Sequence, residues 1–399
     1  MRGGAHNAAG FSAGNDTLVI DLRALNAVVV DPVARRVRVG GGALLRELDA
    51  ATQEHGLAVP VGEIGHTGIG GITLGGGMGW LTRRCGLTID HLLAAEVVLA
   101  DGRVVRASAD EHPDLFWALR GGGGNFGIVT EFDFSLVPVG PMISFGMFFF
   151  GLDDGPAVLR LARDLIPGLP PTVGFQIVAL NAPPAPFVPE DVVFRPGWAL
   201  VVIGTIGAQP DHDAEAVQDR IRAADLGPLF EFCTPMPFTA LQQMFDEASD
   251  WGVHCYEKGG YLPGLTDAAI EVLSTQVARK VSPMTVLHLY TLDGAYSAVD
   301  DDATAFGGGR SPRLGMFLVG LSPDAAGLPA ERDWVRGTHA ALAPHLFGAG
   351  VYVNSMMGDD SDRIRATYGD EKYERLAAIK ACYDPDNVLH RNANIAPAG

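Results

Sequence analysis

Cations are scarce in this chain: 29 lysines and arginines stand against 47 aspartates and glutamates, a net charge of −18. Proteins that hold nucleic acid need clustered cations to neutralise phosphates, so DNA or RNA binding is excluded as a general role. Long apolar runs are missing too. The longest candidates, around Trp198–Gly207 and Met147–Leu152, fall short of the roughly 18 residues that cross a bilayer, read as buried strands, and leave no membrane partner. Cys85, Cys233, Cys255 and Cys382 are scattered with no CxxC pair, which excludes a disulfide framework. Free thiols of this kind suit a reducing compartment and point to the cytoplasm. No two histidines fall at HxxxH, and Asp359, Asp360 and Asp362 lack the spacing of a calcium loop, so no metal site is expected. Asp300, Asp301 and Asp302 read in the same way as a solvated acidic turn.

What the chain does have is glycine, in three clusters: RGGAH at Arg2–His6, a belt at Gly65–Leu81 (GHTGIGGITLGGGMGWL), and RGGGGNFG at Arg120–Gly127. A flexible linker would be poor in large apolar groups, whereas the belt carries Ile69, Ile72, Leu74, Met78, Trp80 and Leu81. It therefore reads as an ordered, buried loop and not as a helix. Two motif matches fail on context. Gly122–Gly127 fits GxGxxG, but the order here is helix, glycines, strand, the reverse of a dinucleotide fingerprint. Gly10–Gly14 fits GxSxG, yet a strand and not a helix follows it, which removes a serine hydrolase. Bare amides in the three clusters can converge on a pyrophosphate and let a flat ring approach the backbone, which suggests a nucleotide cofactor.

The pattern of elements is α+β. Thr17–Leu22, Val28–Val30, Arg36–Val39, His91–Leu99 and Ile128–Val137 read as strands, with Asp101-Gly102 as a hairpin turn; Ala43–His55 and Pro113–Leu119 read as helices, the first stopped by Gly56. After Pro141, strands at Ile143–Phe150, Leu200–Ile206 and Thr285–Leu292 mix with helices at Asp213–Ala224 and Thr266–Ala278, and Glu371–Tyr383 is a final helix before an extended tail. Residues 1–140 are expected to form one domain, 141–348 a second built on an antiparallel sheet, and 349–399 a segment that returns to the first.

Four stretches carry a resemblance: RGGAHNAAG, GITLGGGMGWL, DLFWALRGGGGNFGIVTEF and YGDEKYERLAAIKACYDPDNVLHRNANI. In this order they resemble the berberine-bridge-enzyme-like, PCMH-type FAD-linked oxidoreductases of the vanillyl-alcohol-oxidase group, over nearly the whole chain. The resemblance implies a two-domain PCMH-type FAD-binding fold with FAD linked covalently through His6. It places Arg2, Gly3, Gly4, Ala5, Asn7 and Gly10 around the pyrophosphate. Thr67, Gly68, Gly70, Gly71, Gly75, Gly76 and Gly77 would line the ring and ribityl, Gly124, Gly127 and Val129 the adenine end, and Asn392 and Asn394 would close over the flavin. Some members make a second link through a belt cysteine; Ile64 holds that position here, so one link is expected. Members also have a complete lobe ahead of the RGGxH loop, where this chain begins, so the N-terminal lobe is expected to be incomplete, with any targeting signal in the missing part.

The resemblance also implies hydride transfer from a CH–OH or activated C–H or C–N group of a small molecule, a sugar or secondary metabolite, with O2 as reoxidant. Tyr352 resembles a family tyrosine used as base or substrate anchor, and Asn354 holds flavin or substrate beside it; a strand tyrosine with a packed ring is the plain alternative. Acting as a base would require the phenol to be shifted well below its free value of about 10. Tyr256, Lys258, His288 and Tyr290 alternate along strands, each pair either facing the pocket or half-buried in an ordinary sheet. The rival readings are a dehydrogenase that reacts poorly with oxygen and a non-catalytic remnant without flavin, which a visible absorption spectrum separates.

Overall fold

The computed structural model describes residues 1–205, 212–348, 350–358 and 360–399. The first lobe is a five-stranded antiparallel sheet of β1 (Val28–Asp31), β2 (Arg36–Gly40), β3 (Leu92–Val98), β4 (Val104–Ser108) and β5 (Ile128–Ser135), in the order β1-β2-β5-β3-β4. Its strands alternate as a half-covered sheet must: in β2, Val37 and Val39 are buried while Arg36 and Arg38 face water. Helices α1 (Leu45–Gln53) and α3 (Pro113–Leu119) pack on the buried face, Leu45, Leu48, Leu115 and Leu119 meeting Val97, Phe132 and Phe134 in one core. Gly56 ends the first of these turns at φ +64° and Gly102 closes the β3–β4 hairpin at φ +87°, conformations that cost glycine little.

Two expectations change here. Thr17–Leu22 is not a strand: it makes a single bridge, Asp21 to Arg2, and Leu18 is 89% exposed, so no neighbouring strand supplies a ladder. The glycine belt is not all loop, because Ile69–Gly75 is a short helix, α2. Ile69, Thr73 and Leu74 anchor its buried side, and Gly76, at φ +134°, ends it. Burial of the apolar side outweighs the poor helix propensity of its three glycines.

The second lobe is a seven-stranded antiparallel sheet of β6 (Met142–Gly151), β7 (Gly174–Asn181), β8 (Pro196–Thr205), β9 (Phe230–Pro237), β10 (His254–Leu262), β11 (Val286–Leu292) and β12 (Arg313–Ser322), in the order β9-β6-β8-β7-β11-β12-β10. The reading of a strand to Ile206 ends on a residue outside those described, as does the reading of Asp359. Helices α4 (Gly155–Leu165), α5 (His212–Ala223), α6 (Asp267–Val277) and α7 (Leu328–Leu342) cover one face through Leu159, Ile221, Ile270 and Trp334. The opposite face looks at the first lobe.

The tail closes the arrangement. Helix α8 (Ile364–Tyr383), broken at Gly369, returns to the first core with Leu376 and Ile379, and Ile395 follows. Lys380 and Asp384 are fully buried and 2.6 Å apart; the ammonium also donates to the carbonyls of Asn125, at 2.7 Å, and Leu389. One cation thus ties the third glycine cluster to the tail. Removing one member of a buried pair strands the other charge, so Lys380→Ala should cost about 3–5 kcal/mol in urea unfolding; a loss below about 1 kcal/mol would show that the pair is not what fixes the tail.

Candidate active site

Between the two lobes lies a cavity of about 730 Å³. One wall is glycine backbone. Gly4 and Gly68 touch so closely that a Cβ on either would lie about 2.1–2.2 Å from a backbone nitrogen of the other, which locks the first glycine cluster to the belt. Beyond this contact the amides of Gly3, Gly4, Ala5, His6 and Asn7 make no hydrogen bond with any described residue, and Ala5 sits at φ +56°. Successive unpaired amides on a curved backbone form a concave anion site, and protein interiors rarely leave such donors unmet. Thr67, Gly68, Gly70, Gly71, Gly124 and Val129 continue this wall, and a Cβ on Gly71 would enter open space. Asn392 joins it, its Nδ2 donating to Gly124 O while its buried Oδ1 has no partner among the described residues.

Other expected cofactor residues lie one layer back. Gly75 packs on Asn354, Gly76 on Phe306 and Gly77 on Thr88; Gly127 lies beneath Val97. Arg2, Gly10 and Asn394 do not line the cavity either.

At the end of the amide row, His6 Nε2 meets His66 Nδ1 at 2.5 Å, and His66 Nε2 meets the Asp246 carbonyl at 3.0 Å. A carbonyl only accepts, so His66 carries its proton on Nε2, its Nδ1 accepts, and His6 donates from Nε2. His6 Nδ1 is left with a bare lone pair and no described partner. Burial first, and His66 second, hold the His6 pKa down at about 4, so the ring is neutral at pH 7. Trp251, not singled out from the sequence, lies over both rings at 5.6 and 4.6 Å and donates from Nε1 to Gly4 O.

Tyr352 stands across the cavity. Its oxygen accepts from the Gly77 amide at 2.9 Å and from Asn354 Nδ2 at 2.8 Å; that same Nδ2 also donates to Ile72 O, which fixes the amide's orientation. Both lone pairs are taken, so the phenolic proton is free for the cavity. Burial pushes its pKa to about 12 against the opposing pull of these donors, so Tyr352 meets a ligand as a hydrogen-bond donor.

The second sheet supplies the far wall. His288 and Tyr290 on β11 face it, but on β10 the period is the other one: Cys255 and Glu257 line the cavity, while Tyr256 packs under the helices and Lys258 pairs with Asp360 at 2.6 Å. Choosing Tyr256 and Lys258 as a pocket pair is therefore corrected by one residue, which in a strand means the opposite face. Sequence reasoning also passed over Glu63 and Gln176. His288 Nε2 donates to Gln176 Oε1 at 2.9 Å, and Gln176 Nε2 donates to Glu63 at 2.5 Å. The only sequence signal for Glu63 is a carboxylate beside Ile64 in an otherwise apolar stretch. Burial raises Glu63 to about 8 and Glu257 to about 7, and lowers His288 to about 3. Among the described residues no group of three or more metal-ligating side chains gathers.

Residues 1–108 match the family model of an FAD binding domain, and residues 351–396 the berberine and berberine-like model. Over 394 residues the chain is 30% identical to an FAD-linked oxidoreductase, OXR1, of Pyricularia oryzae, covering 93% of this chain and 74% of that protein. This chain belongs to the berberine-bridge-like FAD-linked oxidoreductases. It is also 28% identical to (R)-6-hydroxynicotine oxidase of Paenarthrobacter nicotinovorans, over all of this chain and 86% of that one. Among solved structures, 6-hydroxy-D-nicotine oxidase from Arthrobacter nicotinovorans superposes with a TM-score of 0.85 at 25% identity, covering 100% of this chain and 86% of that chain. A berberine bridge enzyme variant in complex with (S)-reticuline gives 0.84 at 21% identity, covering 100% and 84%, and shares the fold. This chain's own geometry fits the FAD of that family: the unpaired amides suit a pyrophosphate, and the open backbone at Gly71 suits a flat ring.

The buried acids set a pH dependence. Glu63 keeps its proton to about pH 8 when folded but releases it near 4.3 when unfolded, so the folded state binds more protons in between and stability falls as pH rises. His288 and His6, held neutral, act oppositely, but only below about pH 6.5. Between pH 6.5 and 8 the buried acids set the decline, opposed near pH 8 by the partly buried N-terminal amine, and Glu63→Gln should flatten the fall in melting temperature there; an unchanged slope would mean Glu63 is not held neutral.

Proposed function

We propose that the protein is an oxidase that carries FAD covalently on His6 and takes a hydride from a CH–OH or activated C–H or C–N centre of a small molecule. The observation that carries this is the row of unpaired amides from Gly3 to Asn7 ending on a neutral imidazole that faces Tyr352 across one cavity. Bound FAD supplies the two-electron acceptor, and the chain supplies everything else. Gly3 to Asn7 would hold the pyrophosphate, Gly68, Gly70 and Gly71 the ring system, and Asn392 the edge nearest the tail. His6 would present Nδ1 to the flavin, because the relay through His66 to the Asp246 carbonyl leaves the lone pair there. Ile64 lines the cavity and carries no nucleophile, so no second link is expected from that position.

Tyr352 orients the substrate by donating to the heteroatom on the carbon to be oxidised. As the hydride leaves, that heteroatom's proton becomes acidic and passes to solvent or a cavity carboxylate, while Tyr352, its oxygen fixed by the Gly77 amide and Asn354 Nδ2, keeps its own proton and holds the heteroatom in place. O2 as reoxidant is supported by the relative named (R)-6-hydroxynicotine oxidase.

Acid-precipitated protein should stay yellow, and His6→Ala should lose that colour while Thr67→Ala keeps it; colour persisting in His6→Ala would place the link elsewhere. Tyr352→Phe should slow anaerobic flavin reduction by roughly 10²–10³-fold with little change in flavin content, and unchanged reduction would remove Tyr352 from positioning the substrate. Reduced enzyme mixed with air should reoxidise within seconds; reoxidation over many minutes would make it a dehydrogenase.

A further inference from the structure

Apart from the group formed by His288, Tyr290 and Glu63, the wall that faces the glycines is largely apolar. Val178 and Leu180 on β7, Val286 on β11, and Phe317, Val319 and Leu321 on β12 line it. Within this surface Glu257 is the exception. Strand register sets it directly beside Val319, which in turn pairs with Val286, so the carboxyl stands at the end of an apolar row. It makes no side-chain hydrogen bond among the described residues, unlike Glu63 at the other side of the wall, which Gln176 already serves.

Cations are turned away from this half of the cavity. Lys258 and Arg363 both bond Asp360, at 2.6 and 3.2 Å, on the other side of β10. Arg391 lines the distant end beside the first glycine cluster, and His288 is committed to Gln176. A carboxyl without a protein partner among the described residues, facing an apolar, cation-poor space, is complemented best in its ionised form by a cation.

We propose that Glu257 anchors a protonated amine, so that the substrate is a small, largely apolar amine and not a sugar or a carboxylic acid. The inference rests on FAD occupying the glycine side of the same cavity. A sugar would bury several hydroxyls against valine, leucine and phenylalanine, where each unmet hydroxyl costs about 1–3 kcal/mol. An acid would meet Glu257 and Glu63 with no cation between. Oxidation balances on this assignment: a primary ammonium gives one proton to the Glu257 carboxylate, its carbon gives a hydride with the electron pair to the flavin, and a protonated imine is left.

Isothermal titration of the flavin-loaded protein with three probes of one shape tests this: benzyltrimethylammonium, benzyl alcohol and benzoate. The ammonium should bind at least tenfold tighter than the alcohol, and benzoate weakest. Glu257→Gln should reduce ammonium affinity about tenfold and leave the alcohol unchanged. Equal affinities in the wild type, tighter benzoate, no binding by any probe, or an ammonium affinity untouched in Glu257→Gln would each overturn the proposal. Because the wild-type ranking stands by itself, a poorly folding variant does not remove the test. Flavin content read on the same samples separates the two inferences: protein without flavin that still prefers the ammonium would refute the oxidoreductase reading and leave the role of Glu257 standing.

Discussion

The row of amides from Gly3 to Asn7 is the constraint from which the rest of this structure follows. Five successive donors with no partner among the described residues are costly against a cavity wall, and backbone cannot change its chemistry to escape that cost. The chain holds them in place by pressing Gly4 against Gly68, a contact no side chain could occupy. That contact requires the belt to be rigid. Rigidity comes from the buried side of Ile69–Gly75 and from Tyr352, whose oxygen receives the Gly77 amide from the far side. The third cluster is held by Lys380 in the same spirit, through the Asn125 carbonyl. Three glycine segments distant in sequence are thereby fixed relative to one another by single, fully buried contacts.

How much of this could be read from the sequence depended on whether the signal was local. The hairpin at Asp101-Gly102, the helix at Pro113–Leu119 and the stop at Gly56 are each decided within a few residues, and each lies where its residues predict. The α2 helix was hidden because its stability comes from Ile69 and Leu74 packing into a distant core, while its own composition argues against a helix. Thr17–Leu22 shows the reverse: its β-forming residues lack a neighbour to pair with.

The site divides along the same line. His6 and the glycines near it announce themselves because a bare backbone leaves a compositional mark. Glu63, Gln176 and His288 come from three distant segments: strand pairing brings the last two together, with Tyr290 opposite Gln176 and His288 opposite Val178, and Glu63 joins them from a loop through the Gln176 amide. Nothing local distinguishes Glu257 from Tyr256 or Lys258; only the position of the α7 helix over one face of β10 decides which of them looks inward.

The two walls of the cavity are opposite in electrical character, and that contrast has a mechanistic consequence. On the glycine side, unpaired N–H groups create positive potential suited to a bound anion and to electron density arriving on a ring. On the sheet side, a neutral imidazole and carboxyls that readily give up or take a proton surround apolar side chains, a setting for a group that loses a proton and a hydride together. Under the proposed function, electrons would move toward the amides and protons toward the carboxyls. The separation is built from backbone on one lobe and from strand alternation on the other, so a single-residue slip in β10 would bring Lys258 into the cavity and place a cation on the proton-accepting wall. The fold's tolerance for the lost ion pair with Asp360 would then matter less than the reversal of charge where the substrate sits.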